Sequence, residues 1–144
     1  LFPYTTLFRS AQILELMKET SRKLDAATIL ITHDMGVVAS MCDRVAVMYA
    51  GRIVEYADLY ELFEHPLHPY TEGLLASIPR LDQESKMLHV IPGMVPSLDN
   101  MPEGCEFCPR CSRSMPICQT GKPELYEAGP GHTVRCWLYA PREV

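Results

Sequence analysis

Five of the six cysteines of this 144-residue chain fall between Cys105 and Cys136, spaced C-x2-C-x2-C-x6-C-x17-C through Cys108, Cys111 and Cys118. Around them lie eight of the twelve prolines and five of the eight glycines, all from Pro92 onward, and "PGMVPSLDNMPEG" reads as loop. So short and irregular a stretch buries too little apolar surface to offset its conformational entropy unaided. It needs a staple, and the thiols stand where one is required.

Three chemistries could supply it. Disulfides need an oxidising compartment, and no export pattern is visible. A four-thiolate zinc site or an iron–sulfur cluster would each order a loop-rich segment by binding metal. Zinc sites commonly pair two separated C-x2-C knuckles, and here Cys118 and Cys136 stand far apart. The C-x2-C-x2-C opening is that of ferredoxin-type ligation, so spacing alone favours iron–sulfur with Cys105, Cys108 and Cys111 as natural partners. Five thiols then compete for four positions. Cys42, in "MCDR", is read as a buried small hydrophobe on a short helix.

The first half has different physics. "LFPYTTLFRS" (residues 1–10) lacks an initiating Met, a basic region and a small-residue cleavage site, so it is no signal peptide. It resembles the translation of a sequencing-library adapter and is set apart as an artefact, with native sequence expected from about Ala11, in mid-protein. "AQILELMKETSRKL" carries the spacing of an amphipathic helix. "ATILIT" (27–32) suits a strand buried on both faces of a parallel sheet. Asp34 caps a short helix over "MGVVASMC", "RVAVMY" and "RIVEY" read as strands joined through Gly51, and "DLYELFEH" and "PYTEGLLASI" as helices, Pro69 in a first turn. This alternation predicts an α/β layer.

With 47% hydrophobic and 22% charged residues and a formal charge of −5, the composition is that of a soluble globular protein without a nucleic-acid groove. No run reaches the 18 apolar residues of a membrane span, so any membrane association is expected to be peripheral or through a partner. His33 follows "ILIT" directly, and in open α/β sheets ligands bind at the carboxyl ends of strands. An imidazole there can donate to a phosphate oxygen or position a water.

"ILITHDMGVVASMCDRVAVMYAGRIVE" resembles the end of an ABC-transporter ATP-binding domain. "LFEHPLHPYTEGLLASIP", "IPGMVPSL", "GCEFCPRC" and "HTVRC" are similar, in order, to the C-terminal extension of oligopeptide/dipeptide importer ATP-binding subunits. The resemblance implies the C-terminal part of a P-loop NTPase domain (residues 11–64) followed by a small, loop-rich, cysteine-stapled extension (65–144). It implies that His33 contacts the γ-phosphate of ATP and links it to the attacking water, with Asp34 holding the loop. It implies a [4Fe-4S] cluster on Cys105, Cys111, Cys118 and Cys136, with Cys108 as an alternative ligand at a place where the family usually has another residue, and Zn2+ as the alternative metal.

The family also more often has Gly at the position of Ala57, so a locally different turn is expected there. "HPY" (68–70) is read structurally, with Pro69 starting a helix and Tyr70 packing beneath it. His132 is read as structural rather than ligating, and Arg110 as an offset to thiolate charge or a solvated side chain. By the same resemblance the parent protein is an ATPase using ATP and Mg2+. It would work with a second ATP-binding subunit, two permease subunits and an external substrate-binding protein, peripherally on the cytoplasmic face of a bacterial or archaeal membrane, importing peptides or related nutrients such as nickel. The chain contains no G-x-x-x-x-G-K-[ST] phosphate loop and no "LSGGQ"-like element, both expected upstream of Ala11, so this piece alone should not hydrolyse ATP. A four-cysteine zinc module for protein or nucleic-acid contacts is the alternative function.

Overall fold

The computed structural model of the chain describes residues 4–78 and 90–141. Two compact units divide after Cys42.

The first unit holds helix α1 (Tyr4–Leu24) and helix α2 (Met35–Met41). Lys18 Nζ donates to Ser40 O at 2.8 Å, tying one to the other. Asp34 caps α2 as its sequence predicts, Oδ1 accepting from Gly36 N (2.8 Å) and Val37 N (3.2 Å). The strand expected at 27–32 is not formed: these residues are irregular, with Ile29 92% and Ile31 94% exposed. A strand of a parallel sheet takes its hydrogen bonds and its burial from flanking strands, and among the described residues every strand belongs to a different, antiparallel sheet.

That sheet organises the second unit. Its strands β1 (Arg44–Tyr49), β2 (Arg52–Asp58), β3 (Tyr126–Gly129) and β4 (His132–Val134) run in the order β1-β2-β4-β3, each pair antiparallel. Ala50 and Gly51 both take positive φ (46° and 79°), so β1 and β2 join through the two-residue turn whose twist matches paired strands. Tyr49 pairs with Arg52 across it. The register slips between Val47 and Met48, opposite which β2 carries one extra residue, Val54. A bulge of this kind re-aims side chains, and here consecutive Val54 and Glu55 are both buried.

Val47, Tyr49, Val54, Ala57, Leu62 and Phe107 form the core. Leu62 is fully buried on helix α3 (Leu59–Glu64), which Asp58 caps through Tyr60 N, and full burial of such a side chain contributes about 2 kcal/mol. Ala57, for which a locally different turn is expected, lies instead inside β2, fully buried and paired with Val45. Helix α4 (Pro69–Ala76) completes the frame. The unit thus joins the hairpin of 44–58 to the cysteine segment, which packs Phe107, Cys105 and Cys111 against the same apolar core.

Candidate functional site

A carboxylate with no solvent exposure anchors the second unit. Glu55 Oε1 accepts from Leu67 N at 2.7 Å, Oε2 accepts from His68 N at 3.0 Å, and His132 Nε2–H donates to Oε1 at 2.8 Å. One side chain therefore fixes the loop before α4 and the β3–β4 hairpin to β2, satisfying backbone donors that burial would otherwise orphan. Glu61 Oε1 stands 3.7 Å from His132 Nδ1, on the other side of the ring. His132 is structural, as expected.

The "HPY" segment is equally structural, with a detail the sequence reading missed. Pro69 begins α4, and the tilted ring of Tyr70 packs 4.7 Å from Tyr49 and 5.5 Å from Phe107. His68, 1% exposed, is itself the cap: its Nδ1 accepts from Tyr70 N at 3.1 Å. An accepting Nδ1 requires that nitrogen to be unprotonated, and burial, aided by the nearby Arg113 charge, lowers the His68 pKa to about 4.

The cysteine loop is pinned onto this frame. Cys105 N donates to Cys118 O at 2.9 Å, an approach so close that a Cβ on Gly104 would lie 2.3 Å from that carbonyl oxygen. Only glycine fits there. The chain then turns tightly, Cys108 N donating to Cys105 O (3.0 Å) and Cys111 N to Cys108 O (3.2 Å). Buried Glu106 ties the loop outward through Arg52 Nε (3.0 Å) and Lys122 Nζ (3.6 Å). Arg110 plays neither of the parts foreseen for it. Its Nε donates to Pro92 O at 2.9 Å and its Nη2 to Ile91 O at 3.0 Å, clasping the 91–92 strap. Ile91 itself lies over Gly73 of α4, where a Cβ would meet its Cγ1 at 2.8 Å.

Burial is the first cause raising the Cys105 pKa, to about 11, with Cys118 and Cys136 adding to it. Cys108 is raised by burial, then by Cys118 and Cys111; Cys111 by burial and by Cys118; Cys136 by burial, then by Cys111 and Cys118. The cation lowering Cys111 and Cys136 is Arg113, held to Glu72 of α4 by an ion pair at 2.6 Å.

Among the described residues no three His, Cys, Asp or Glu side chains converge closely enough to hold a metal ion. The described residues thus show no preformed site for either expected metal group, the iron–sulfur cluster or zinc.

Residues 54–118 match the family model of the oligopeptide/dipeptide transporter C-terminal region. The chain is 54% identical over 129 residues to the oligopeptide transport ATP-binding protein AppD of Bacillus subtilis, covering 90% of this chain and 39% of the relative. The dipeptide transport ATP-binding protein DppD of the same organism is 50% identical (92% and 39%), and the oligopeptide transport ATP-binding protein OppD of Haemophilus influenzae 47% (92% and 41%). The chain thus spans about two fifths of the length of these relatives. Both clasps just described, Glu55 on His68 and Arg110 on the 91–92 strap, fall within the matched transporter region.

His33 belongs to the first unit, not to the cysteine group. It is exposed at the bend before α2, between Thr32, whose Oγ1 accepts from Asp34 N at 3.0 Å, and the capping Asp34. Cys42 is half-buried rather than buried, and stands at the C-cap of α2 rather than on the helix. No helix among the described residues is long and apolar enough to cross a membrane.

Proposed function

We propose that this chain is the C-terminal part of the ATP-binding subunit of an ABC importer that couples ATP hydrolysis to uptake of oligopeptides, dipeptides or related small nutrients. The observation that carries the reading is similarity to transport ATP-binding proteins along some nine tenths of the chain, joined to the match of residues 54–118. In the assembled importer it works with a second ATP-binding subunit and two permease subunits, on the cytoplasmic face of the membrane, fed by an external binding protein. The phosphate-cradling loop and the acidic Mg2+ site belong to sequence outside residues 1–144, so the chain by itself does not turn over ATP.

His33 is the residue assigned to the chemistry. Local hydrogen bonds at Thr32 and Asp34 set the bend on either side of it and leave its imidazole exposed. There its N–H donates to the γ-phosphate and its ring positions the attacking water. In a full-length importer ATPase carrying this sequence, His33→Ala keeps nucleotide affinity and slows hydrolysis by about 100-fold or more. Unchanged turnover would remove His33 from the mechanism.

Cys105, Cys111, Cys118 and Cys136 are the ligands assigned to a [4Fe-4S] cluster. These thiolates would hold the cluster from the 105–111 turn, from α5 (Ile117–Thr120) and from the segment just after β4. The 2.9 Å hydrogen bond from Cys105 N to Cys118 O, which brings two of the four together, supports the assignment. Burial raises the Cys111 and Cys136 pKa values, and Arg113 offsets this only in part.

A further inference from the structure

An exposed imidazole is not held by packing, so the aim of His33 is set by the backbone beneath it. Thr32 Oγ1 accepts from Asp34 N at 3.0 Å. That bond closes a small ring over the φ and ψ of His33 itself, the hydroxyl standing in for the carbonyl of a backbone turn. On the far side Asp34 is fixed to α2, its Oδ1 accepting from Gly36 N and Val37 N and its carbonyl from Val38 N at 3.0 Å. The order of the helix is thus carried back across the histidine by one side chain. Thr32 is itself exposed, so burial does not account for it. Valine would copy its shape without offering an acceptor.

Resting on the assignment of His33 above, we infer that Thr32 is a positioning residue for hydrolysis: by accepting from Asp34 N, its hydroxyl holds the His33 backbone in the one arrangement from which the imidazole meets the γ-phosphate and the attacking water. Thr32 touches neither of them. With the hydroxyl gone, the Asp34 N–H turns to water and the φ and ψ of His33 spread, so the productive orientation becomes one among several. ATP is held in the ground state by the phosphate-cradling loop, outside residues 1–144, so the loss falls on kcat and leaves KM alone. One neutral hydrogen bond is at stake, which sets the loss at about 3- to 10-fold. That is well short of the roughly 100-fold expected for His33→Ala.

The test uses a full-length importer ATPase carrying this sequence and compares wild type, Thr32→Val, Thr32→Ser, His33→Ala and the Thr32→Val, His33→Ala double variant. Thr32→Val should lower kcat about 3- to 10-fold at an unchanged KM for ATP, and Thr32→Ser, which keeps the acceptor, should restore the wild-type rate. In the His33→Ala background Thr32→Val should cost less than about 1.5-fold, because the hydroxyl acts only through the imidazole. A purely structural Thr32 would slow both backgrounds alike. That result refutes the positioning role, as does wild-type kcat in Thr32→Val or a Thr32→Ser enzyme as slow as Thr32→Val. In the 144-residue chain itself, amide hydrogen exchange at Asp34 should quicken about 3- to 10-fold in Thr32→Val and not in Thr32→Ser, and equal exchange in all three refutes the restraint. A His33→Ala enzyme at the wild-type rate overturns the His33 assignment and this inference with it, a failure told apart by an exchange result that still shows the Thr32 bond.

Discussion

Replacing Glu55 by alanine tests the buried frame most directly. The carboxylate accepts from two backbone N–H groups and one imidazole, all within 3.0 Å, and has no access to water. Hydrogen bonds to a charged group contribute about 1.5–3 kcal/mol each, but three on one side chain are not additive. Leaving buried donors unpaired at a broken ionic contact costs about 3–5 kcal/mol, which is the expected loss for Glu55→Ala. That is about a fifth or more of the stability of an ordinary domain. Glu55→Gln keeps one carbonyl acceptor but sets its NH2 against the other donors, so its loss should be smaller, about 1–3 kcal/mol. Trp137, the only tryptophan, lies in this unit and donates to Gly121 O at 3.0 Å, so its fluorescence during urea unfolding follows the unit specifically. A double-mutant cycle with His132→Ala should return a coupling of about 1–3 kcal/mol. If Glu55→Ala shifts stability no more than Glu124→Ala at the exposed surface, within about 0.5 kcal/mol, the frame does not hold the unit together.

Because the His68 pKa falls from 6.5 to about 4 on folding, its contribution is fully present above pH 6.5, declines as the pH drops, and is gone below about 4. The folded state binds fewer protons than the unfolded one across that window, and the loss should approach about 3 kcal/mol. His68→Asn keeps a capping side chain, so urea titrations from pH 4 to 7 should show a flatter profile than wild type; equal slopes would contradict the assignment. Gly104→Ala forces the 105–111 turn away from Cys118 O and should destabilise the unit by about 1–3 kcal/mol, visible as an earlier Trp137 transition. A melting curve identical to wild type would show that the turn does not depend on this approach.

Local chemistry was legible in the sequence. The Asp34 cap, the turn at Gly51 and the helix start at Pro69 each follow from one residue's own preference, and each is where its type places it. The 27–32 segment misled because its pattern specifies burial without specifying neighbours, and the strands that are present pair elsewhere. Glu55 went unnoticed because a glutamate between Val54 and Tyr56 reads as an outward side chain. Its burial depends on residues 12, 13 and 77 positions away. One signal was present, since two-residue alternation puts Glu55 on the face of the fully buried Ala57. Arg110 was misread for the same reason, its partners lying 18 and 19 residues upstream. The cysteine spacing named the thiols but not the long-range backbone contact that brings Cys118 to Cys105.

The β2 strand is shared, with β1 on one edge and β4 on the other. The tail is consequently no detachable appendage. Anyone grafting it onto another protein would have to transplant the hairpin of 44–58 along with it, glutamate included, or leave the borrowed piece without its spine.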